Sequence, residues 1–243
     1  MKIGVMSDIH GNSEALSEVL IDIEKQSVDK IICTGDLVGY GPYPNEVVNT
    51  FIDQKIPSTL GNHDLATFDM ELLNDLGGIA HESIMLTLDI LGDTQKKHLK
   101  KLPKSINCRT LHFVHASPPD NVRGYITRKS VEEIKYLFSQ FDSNICFIGH
   151  THLLAKYYID SNKLKYESMG EGKLKLDPEK KYIINVGSVG QPRDEIPKAK
   201  YVIFDEDDYS LEVRFVDYDT KKIQNKIFEL GFPRKNAEFL GPI

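Results

Sequence analysis

Five short apolar runs along this chain each lead into a cluster of Asp, His or Asn, and this repetition constrains the fold more than any other feature. Lys2–Met6 leads to Asp8-Ile9-His10, and Lys30–Cys33 to Gly35-Asp36. Pro57–Leu60 leads to Gly61-Asn62-His63-Asp64, Thr110–Val114 to His115, and Ile145–Ile148 to Gly149-His150-Thr151-His152. Apolar runs this short read as buried strands. Helical patterns separate the first of them. Asn12 offers an N-cap ahead of Leu16, Val19, Leu20 and Ile23, and Pro44–Ile52 follows the second run. Strands alternating with helices predict parallel pairing with right-handed crossovers. In such sheets ligands bind beyond the carboxyl ends of the strands. The five polar clusters are therefore expected on one edge.

The rest of the chain changes rhythm. Residues 65–104 are mostly helical in pattern, with Ile84, Leu88 and Leu91 near a 3.6 period and Pro103 as a stop. This stretch is expected to form a helical, cap-like insertion. Ser130–Phe141 reads as a helix opened by a capping box of Ser130 and Glu133. After His152, five runs look like successive strands: Leu153–Ile159, Leu164–Glu167, Tyr182–Val186, Tyr201–Phe204 and Leu211–Val216. Thr220–Leu230 is an amphipathic helix stopped by Gly231 and Pro233. The expected organisation is a single α/β domain over residues 1–243.

Composition narrows the partners. Net charge is −6, so no global basic field draws nucleic acid or an anionic membrane. An anionic substrate would need a local source of positive charge. No stretch approaches the ~20 apolar residues of a membrane span, and the first apolar run is too short for a signal peptide. Cys33, Cys108 and Cys146 form no CxxC pair, and Cys33 and Cys146 sit in apolar runs as small core residues. A reducing, cytoplasmic setting is the expectation.

The residue types in the clusters suit metal. Asp8 and Asp36 are hard carboxylate donors, His10, His115, His150 and His152 are imidazoles, and Asn62 offers a carbonyl oxygen. A nitrogen and oxygen set without sulfur favours manganese, iron or zinc over calcium and argues against a structural zinc site. Taken singly, each residue could merely cap a loop at a strand end; that reading does not explain why all seven converge. They exceed the needs of one tetrahedral ion and suit two ions sharing a carboxylate, held roughly 3.5–4 Å apart. Two divalent ions outweigh the two carboxylates and a bridging hydroxide, which leaves positive charge for a phosphate ester.

Taken together and in this order, Asp8-x-His10, Gly35-Asp36, Gly61-Asn62-His63-Asp64, His115 and Gly149-His150-Thr151-His152 resemble the calcineurin-like metallophosphoesterase superfamily. The resemblance implies a four-layer αββα sandwich: two packed mixed sheets flanked by helices. It implies one ion on Asp8, His10, Asp36 and His152, the other on Asp36, Asn62, His115 and His150, with Asp36 shared. His63 would face the substrate and steady or protonate the leaving oxygen, and Asp64 would hydrogen-bond His63 and orient it. Ala116 follows His115 where many members have Gly. The stretches from Gly35 to Pro42 and from Val186 to Asp194 look like the small bacterial and archaeal phosphodiesterase-like branch. That branch includes broad phosphodiesterases and dinucleoside polyphosphate hydrolases.

The expected activity is hydrolysis of phosphodiester or phosphomonoester bonds in small nucleotide-like substrates by a metal-bridging hydroxide. Manganese or iron is the expected metal, with zinc, nickel or cobalt able to substitute. A dinucleoside polyphosphate hydrolase, a protein phosphatase and a non-catalytic scaffold are the competing readings. Neither a membrane nor a nucleic acid is an expected partner, and self-association stays open. Three further residues are candidates for substrate contact. Arg193 could meet a phosphate or nucleobase, or simply pair with Asp194. Tyr40 could stack on a base or pack its loop. Arg123 could reach over the cleft or stay an exposed loop charge.

Overall fold

Both faces of the central strands are buried, and this sets the layering. The structure, a computed structural model, describes residues 1–243. Its strands in chain order are β1 (Lys2–Met6), β2 (Lys30–Cys33), β3 (Ser105–Cys108), β4 (Leu111–Val114), β5 (Ile145–Ile148), β6 (Leu154–Asp160), β7 (Lys163–Ser168), β8 (Gly172–Lys175), β9 (Tyr182–Val186), β10 (Ala199–Asp205) and β11 (Ser210–Val216). The helices are α1 (Ser13–Lys25), α2 (Pro44–Asp53), α3 (Asn62–Ala66), α4 (Met70–Asp75), α5 (Gly78–Ile90), α6 (Asp93–Leu99), α7 (Val131–Leu137), α8 (Thr220–Glu229) and α9 (Arg234–Glu238).

One sheet runs β2-β1-β10-β11-β8, with only β1 and β2 parallel. The other runs β3-β4-β5-β9-β6-β7, with β4, β5 and β9 parallel. Alternation along each strand sends side chains to two different cores. Ile145 and Phe147 of β5 point inward, where they join Phe113 and Ile184 against Ile3, Val5, Val202 and Phe204 of the opposite sheet. Cys146 and Ile148 point outward onto Ile134, Leu137 and Phe138 of α7 and its C-terminal turn. On the far side, Met6 and Cys33 meet Leu16, Val19, Val47, Val48 and Phe51 of α1 and α2. Each such side chain contributes about 1.5–3 kcal/mol when fully buried. Three apolar layers thus bond four layers of structure, the expected pair of mixed sheets flanked by helices. No helix is long and apolar enough to cross a membrane.

Several elements differ from the sequence-based expectation. Pro57–Leu60 is no strand; it makes one parallel bridge, Cys33 to Ser58, and the Leu60 N–H then turns to the Pro103 carbonyl. The helix expected over Ser130–Phe141 keeps its Ser130–Glu133 capping box but ends at Leu137. Strands β3 and β8 were not expected, because polar Ser-Ile-Asn-Cys and Gly-Lys-Leu-Lys edges carry little apolar pattern. Residues 65–104 carry α4, α5 and α6, and Leu91 and Leu99 pack into the α1–α2 core. The C-terminal α8 and α9 close a small core of Ile223, Ile227, Phe232, Ala237 and Leu240 against Tyr43, Leu86 and Ile90.

Candidate metal centre

The chain leaves each central strand through an uncommon backbone. Asp8, His10, Asp36, His150 and His152 have φ of 54°, 50°, 57°, 67° and 62°. This left-handed region costs non-glycine residues about 1–3 kcal/mol each where the surroundings enforce it, and such residues cluster at functional sites. Here the enforcement is a hydrogen-bonded stack of loops. The Asp8 N–H donates to Gly35 O at 3.0 Å, the His10 N–H to Asp36 O at 3.0 Å and the Gly11 N–H to Leu37 O at 2.8 Å. The His150 N–H donates to Asp8 Oδ2 at 2.9 Å. Two glycines permit the close approach: a Cβ at Gly61 would strike Asp36, and one at Gly149 would strike Ser7 and Asp8.

All seven candidate donors are buried and meet at the shared edge of the two sheets. His152 Nε2 lies 3.1 Å from Asp8 Oδ1 and 3.0 Å from His10 Nε2. His10 Nε2 lies 3.6 Å from Asp8 Oδ1 and 3.7 Å from Asp36 Oδ2. On the other side His115 Nε2 lies 3.3 Å from Asp36 Oδ2, 3.0 Å from Asn62 Oδ1 and 3.2 Å from His150 Nδ1. Asp36 Oδ2 therefore faces both donor groups. Asp8, His10 and His152, and likewise Asp36, His115 and His150, are close enough together to hold an ion.

The donor chemistry fits cations. Nδ1 of His10, His115 and His152 lies 3.1, 2.9 and 2.6 Å from the carbonyls of Val38, Thr34 and Gln191. A carbonyl only accepts, so each Nδ1 carries a proton, and Nε2 of a neutral ring keeps its lone pair. The Nε2 atoms of His10 and His152, each on the side of its ring turned away from a carbonyl, thus face one another at 3.0 Å. Asp8 Oδ1 is buried with no hydrogen-bond donor. A cation placed among these atoms relieves both conflicts. Burial pushes His150 down to about 3 and His152 to about 4, against the pull of the nearby Asp8 and Asp36 carboxylates, and so holds both in the neutral form that ligation requires. Burial alone would also lower His115, but the Asp36 carboxylate overrides it and lifts His115 to about 9. Burial works against ionisation of Asp8 and Asp36, yet the surrounding histidines hold both well below the ordinary carboxylate value.

His63 and Asp64 stand differently. The His63 ring packs edge-on to His10, with centroids 4.8 Å apart, and against Tyr40 at 4.5 Å. Its Nδ1 is buried without a partner, and burial holds it well below the ordinary histidine value. Asp64 does not hydrogen-bond His63, which corrects the expectation from the resemblance. Its Oδ2 accepts the backbone N–H groups of Asp36 and Gly61, and its Oδ1 those of Leu37 and Val38. Adjacent residues on the short helix α3 point in different directions. Asp64 therefore fixes the loop that carries Asp36. Burial and the Asp36 charge push Asp64 up to about 7, against the pull of those amides.

Of the three candidates for substrate contact, Tyr40 packs against both His10 and His63. Arg193 does not pair with Asp194, which bonds buried Lys200 at 2.6 Å; its guanidinium donates to Gln191 Oε1 at 3.0 Å instead. Arg123 is exposed and faces Asp75 at 3.5 Å. Three contributors escaped the sequence reading. Asn185 donates to Gly149 O and Thr151 Oγ1, fixing the His150 loop, and an Asn inside the apolar run Tyr-Ile-Ile-Asn-Val was its signal. Gln191 orients His152 through its backbone, which no side-chain pattern reveals. Tyr125 stacks on His150 with centroids 4.3 Å apart, from a loop of no apparent motif.

Comparison with known proteins agrees with this geometry. Residues 1–209 match the calcineurin-like phosphoesterase superfamily domain. The chain is 39% identical over 251 aligned residues to an uncharacterized protein of Methanocaldococcus jannaschii, covering 98% of each chain. It is similar to the crystal structure of a metallophosphoesterase from Sphaerobacter thermophilus, with a TM-score of 0.84 and 33% identity over 99% of this chain and 98% of that one. A hypothetical protein from Pyrococcus horikoshii shares the fold at a TM-score of 0.78 and 17% identity, over 98% of this chain and 97% of that one. Match, likeness and donor geometry lead to one conclusion: this chain belongs to the calcineurin-like phosphoesterase superfamily.

Proposed function

We propose that the protein hydrolyses phosphodiester bonds of small, nucleotide-like substrates with two divalent cations. One would sit on Asp8, His10, Asp36 and His152, the other on Asp36, Asn62, His115 and His150. The observation that carries this reading is Asp36 Oδ2, which faces His10 Nε2 at 3.7 Å and His115 Nε2 at 3.3 Å, between two otherwise separate donor groups. When bound, such a pair supplies an activated water and positive charge for the phosphoryl oxygens. The sulfur-free donor set favours manganese or iron.

The protein's own groups account for the rest. Val38, Thr34 and Gln191 hold three imidazoles in one orientation, and His115, lifted to about 9 beside Asp36, gives up its Nε2 proton as a cation takes its place. His63 presents a neutral ring next to His10, and its N–H would donate a hydrogen bond to the departing ester oxygen. The helices of residues 65–104 are the element that limits substrate size.

The test is hydrolysis of a chromogenic phosphodiester and phosphomonoester by metal-stripped protein resupplied with Mn²⁺. Restored activity, with kcat reduced about 10²–10⁴-fold in His63→Ala at unchanged metal content, is the expected result. Two bound metals with no turnover of either ester would overturn the phosphodiesterase reading.

A further inference from the structure

His63 lacks the hydrogen bond that would orient its ring. Asp64 is committed to four backbone N–H groups, and His63 Nδ1 is buried without a partner. Packing therefore sets the ring, and the turn at Gly39 and Tyr40 supplies it. A Cβ at Gly39 would strike His63 Nδ1 and come within 3.1 Å of Ile84 Cδ1 on α5. The Tyr40 ring lies against that of His63, with centroids 4.5 Å apart. Nδ1 thus faces the turn, which leaves Nε2 as the nitrogen to meet a substrate.

The turn needs enforcement of its own. Gly39 and Tyr40 have φ of 89° and 61°, a region that a tyrosine keeps only where its surroundings impose it. On one side the Gly41 N–H donates to His10 O at 2.8 Å. On the other stands Asn236, a residue 2% exposed on the C-terminal helix α9. Its Nδ2 donates to Tyr40 O at 2.8 Å and to Ser83 Oγ at 2.9 Å. Ser83 is the neighbour of Ile84 on α5, and its hydroxyl donates to Ile79 O, so it is free to accept. Both hydrogens of one amide therefore join the turn to the helix that presses on it from the opposite end. Helix α8 seats α9 in turn: Gln224 Nε2 donates to Ala237 O and Gly241 O, each at 3.1 Å. Both helices lie beyond residue 209, outside the stretch matched by the family domain.

We propose that Asn236 is a positioning residue for catalysis: it ties the Gly39–Tyr40 turn to α5 and so sets the direction in which His63 meets the departing ester oxygen. This rests on the phosphodiesterase reading above. It gives the C-terminal helices a task at the site although none of their side chains belongs to the donor set.

The experiment compares bis(4-nitrophenyl) phosphate with diphenyl phosphate on Mn²⁺-loaded protein. Phenolate is the poorer leaving group and depends more on a hydrogen bond from His63. Asn236→Ala is expected to lower kcat for the diphenyl ester roughly ten- to a hundredfold, the scale of misplacing a reacting group by about 1 Å, and for the nitrophenyl ester far less, with KM and metal content unchanged. In a His63→Ala background the same substitution should alter neither rate. Ser83→Ala, which removes only the α5 end of the link, should act in the same direction and more weakly, and it carries the comparison if Asn236→Ala does not fold. A second measurement needs no turnover. In Zn²⁺-loaded protein the His63 ring-proton resonances, identified by their absence from His63→Ala, should shift in the variant as the ring leaves the Tyr40 face. Equal loss on both esters, an undiminished effect without His63, or resonances that stay in place would overturn the proposal. If the natural protein turned over neither ester, the phosphodiesterase reading would fall, and the resonances alone would decide whether Asn236 sets His63.

Discussion

The backbone N–H of His63 donates to Asp36 Oδ1 at 2.8 Å. That bond commits one oxygen of the carboxylate to the protein and leaves Oδ2 facing both donor groups. In Asp36→Asn the oxygen of the amide must stay with His63, which turns the NH₂ group toward the imidazole lone pairs. Both cations should then be lost. The affinity loss should exceed the ~10–100-fold typical when a ligand's hydrogen-bond partner is removed. Metal content after dialysis, by emission spectrometry, checks this; a variant retaining two equivalents would refute it.

Asp64→Asn separates the two roles discussed for Asp64. An amide cannot accept from all four backbone N–H groups, so two buried donors lose their partner. At roughly 1–3 kcal/mol each, the variant should lose about 2–5 kcal/mol in urea unfolding, and its metal affinity should fall as well. If Asp64 served only to orient His63, kcat would drop while stability and metal content held.

The reach of the sequence can be judged from these residues. The seven donors were legible because each follows an apolar run, and a strand end is a position that pattern alone can fix. The role of Asp64 was not, because adjacency in sequence on a helix is not adjacency of side chains. The left-handed backbone of Asp8, His10, Asp36, His150 and His152 was equally hidden, since it is imposed by hydrogen bonds between separate loops rather than by local sequence. Pro57–Leu60 misled because an apolar run beside a sheet can bridge it once without joining it.

Lys200 anchors the loop that carries Gln191 and Arg193. Its ammonium is fully buried and donates to Asp194 Oδ1 at 2.6 Å, Ile196 O at 2.6 Å and Lys198 O at 3.2 Å. Lys200→Met should destabilise the fold by about 2–3 kcal/mol, less than the 3–5 kcal/mol of a fully buried broken pair because Asp194 keeps some access to water. Adding Asp194→Asn should return part of this loss in a double-mutant cycle.

A pH effect is expected from Asp22, far from the metal centre. Burial would raise its carboxyl, but Arg214 at 2.8 and 3.0 Å and the Tyr201 hydroxyl at 2.7 Å hold it below its ordinary value. The unfolded chain therefore takes up this proton first as pH falls. The stabilisation is complete above the ordinary carboxylate value of about 4 and disappears as pH drops through the lower folded value. Between about pH 5 and pH 3, the urea midpoint of Asp22→Asn should fall less steeply than that of the natural protein.

The left-handed turns at five donors have a consequence for metal exchange. Their ordering is completed when the chain folds, so an incoming ion finds its ligands already immobilised and gives up none of its binding free energy to arrange them. Chelation should then leave a folded, reloadable protein rather than a collapsed one. Which ion occupies such a rigid nitrogen and oxygen cradle is settled by the metals on offer and their preference for those donors.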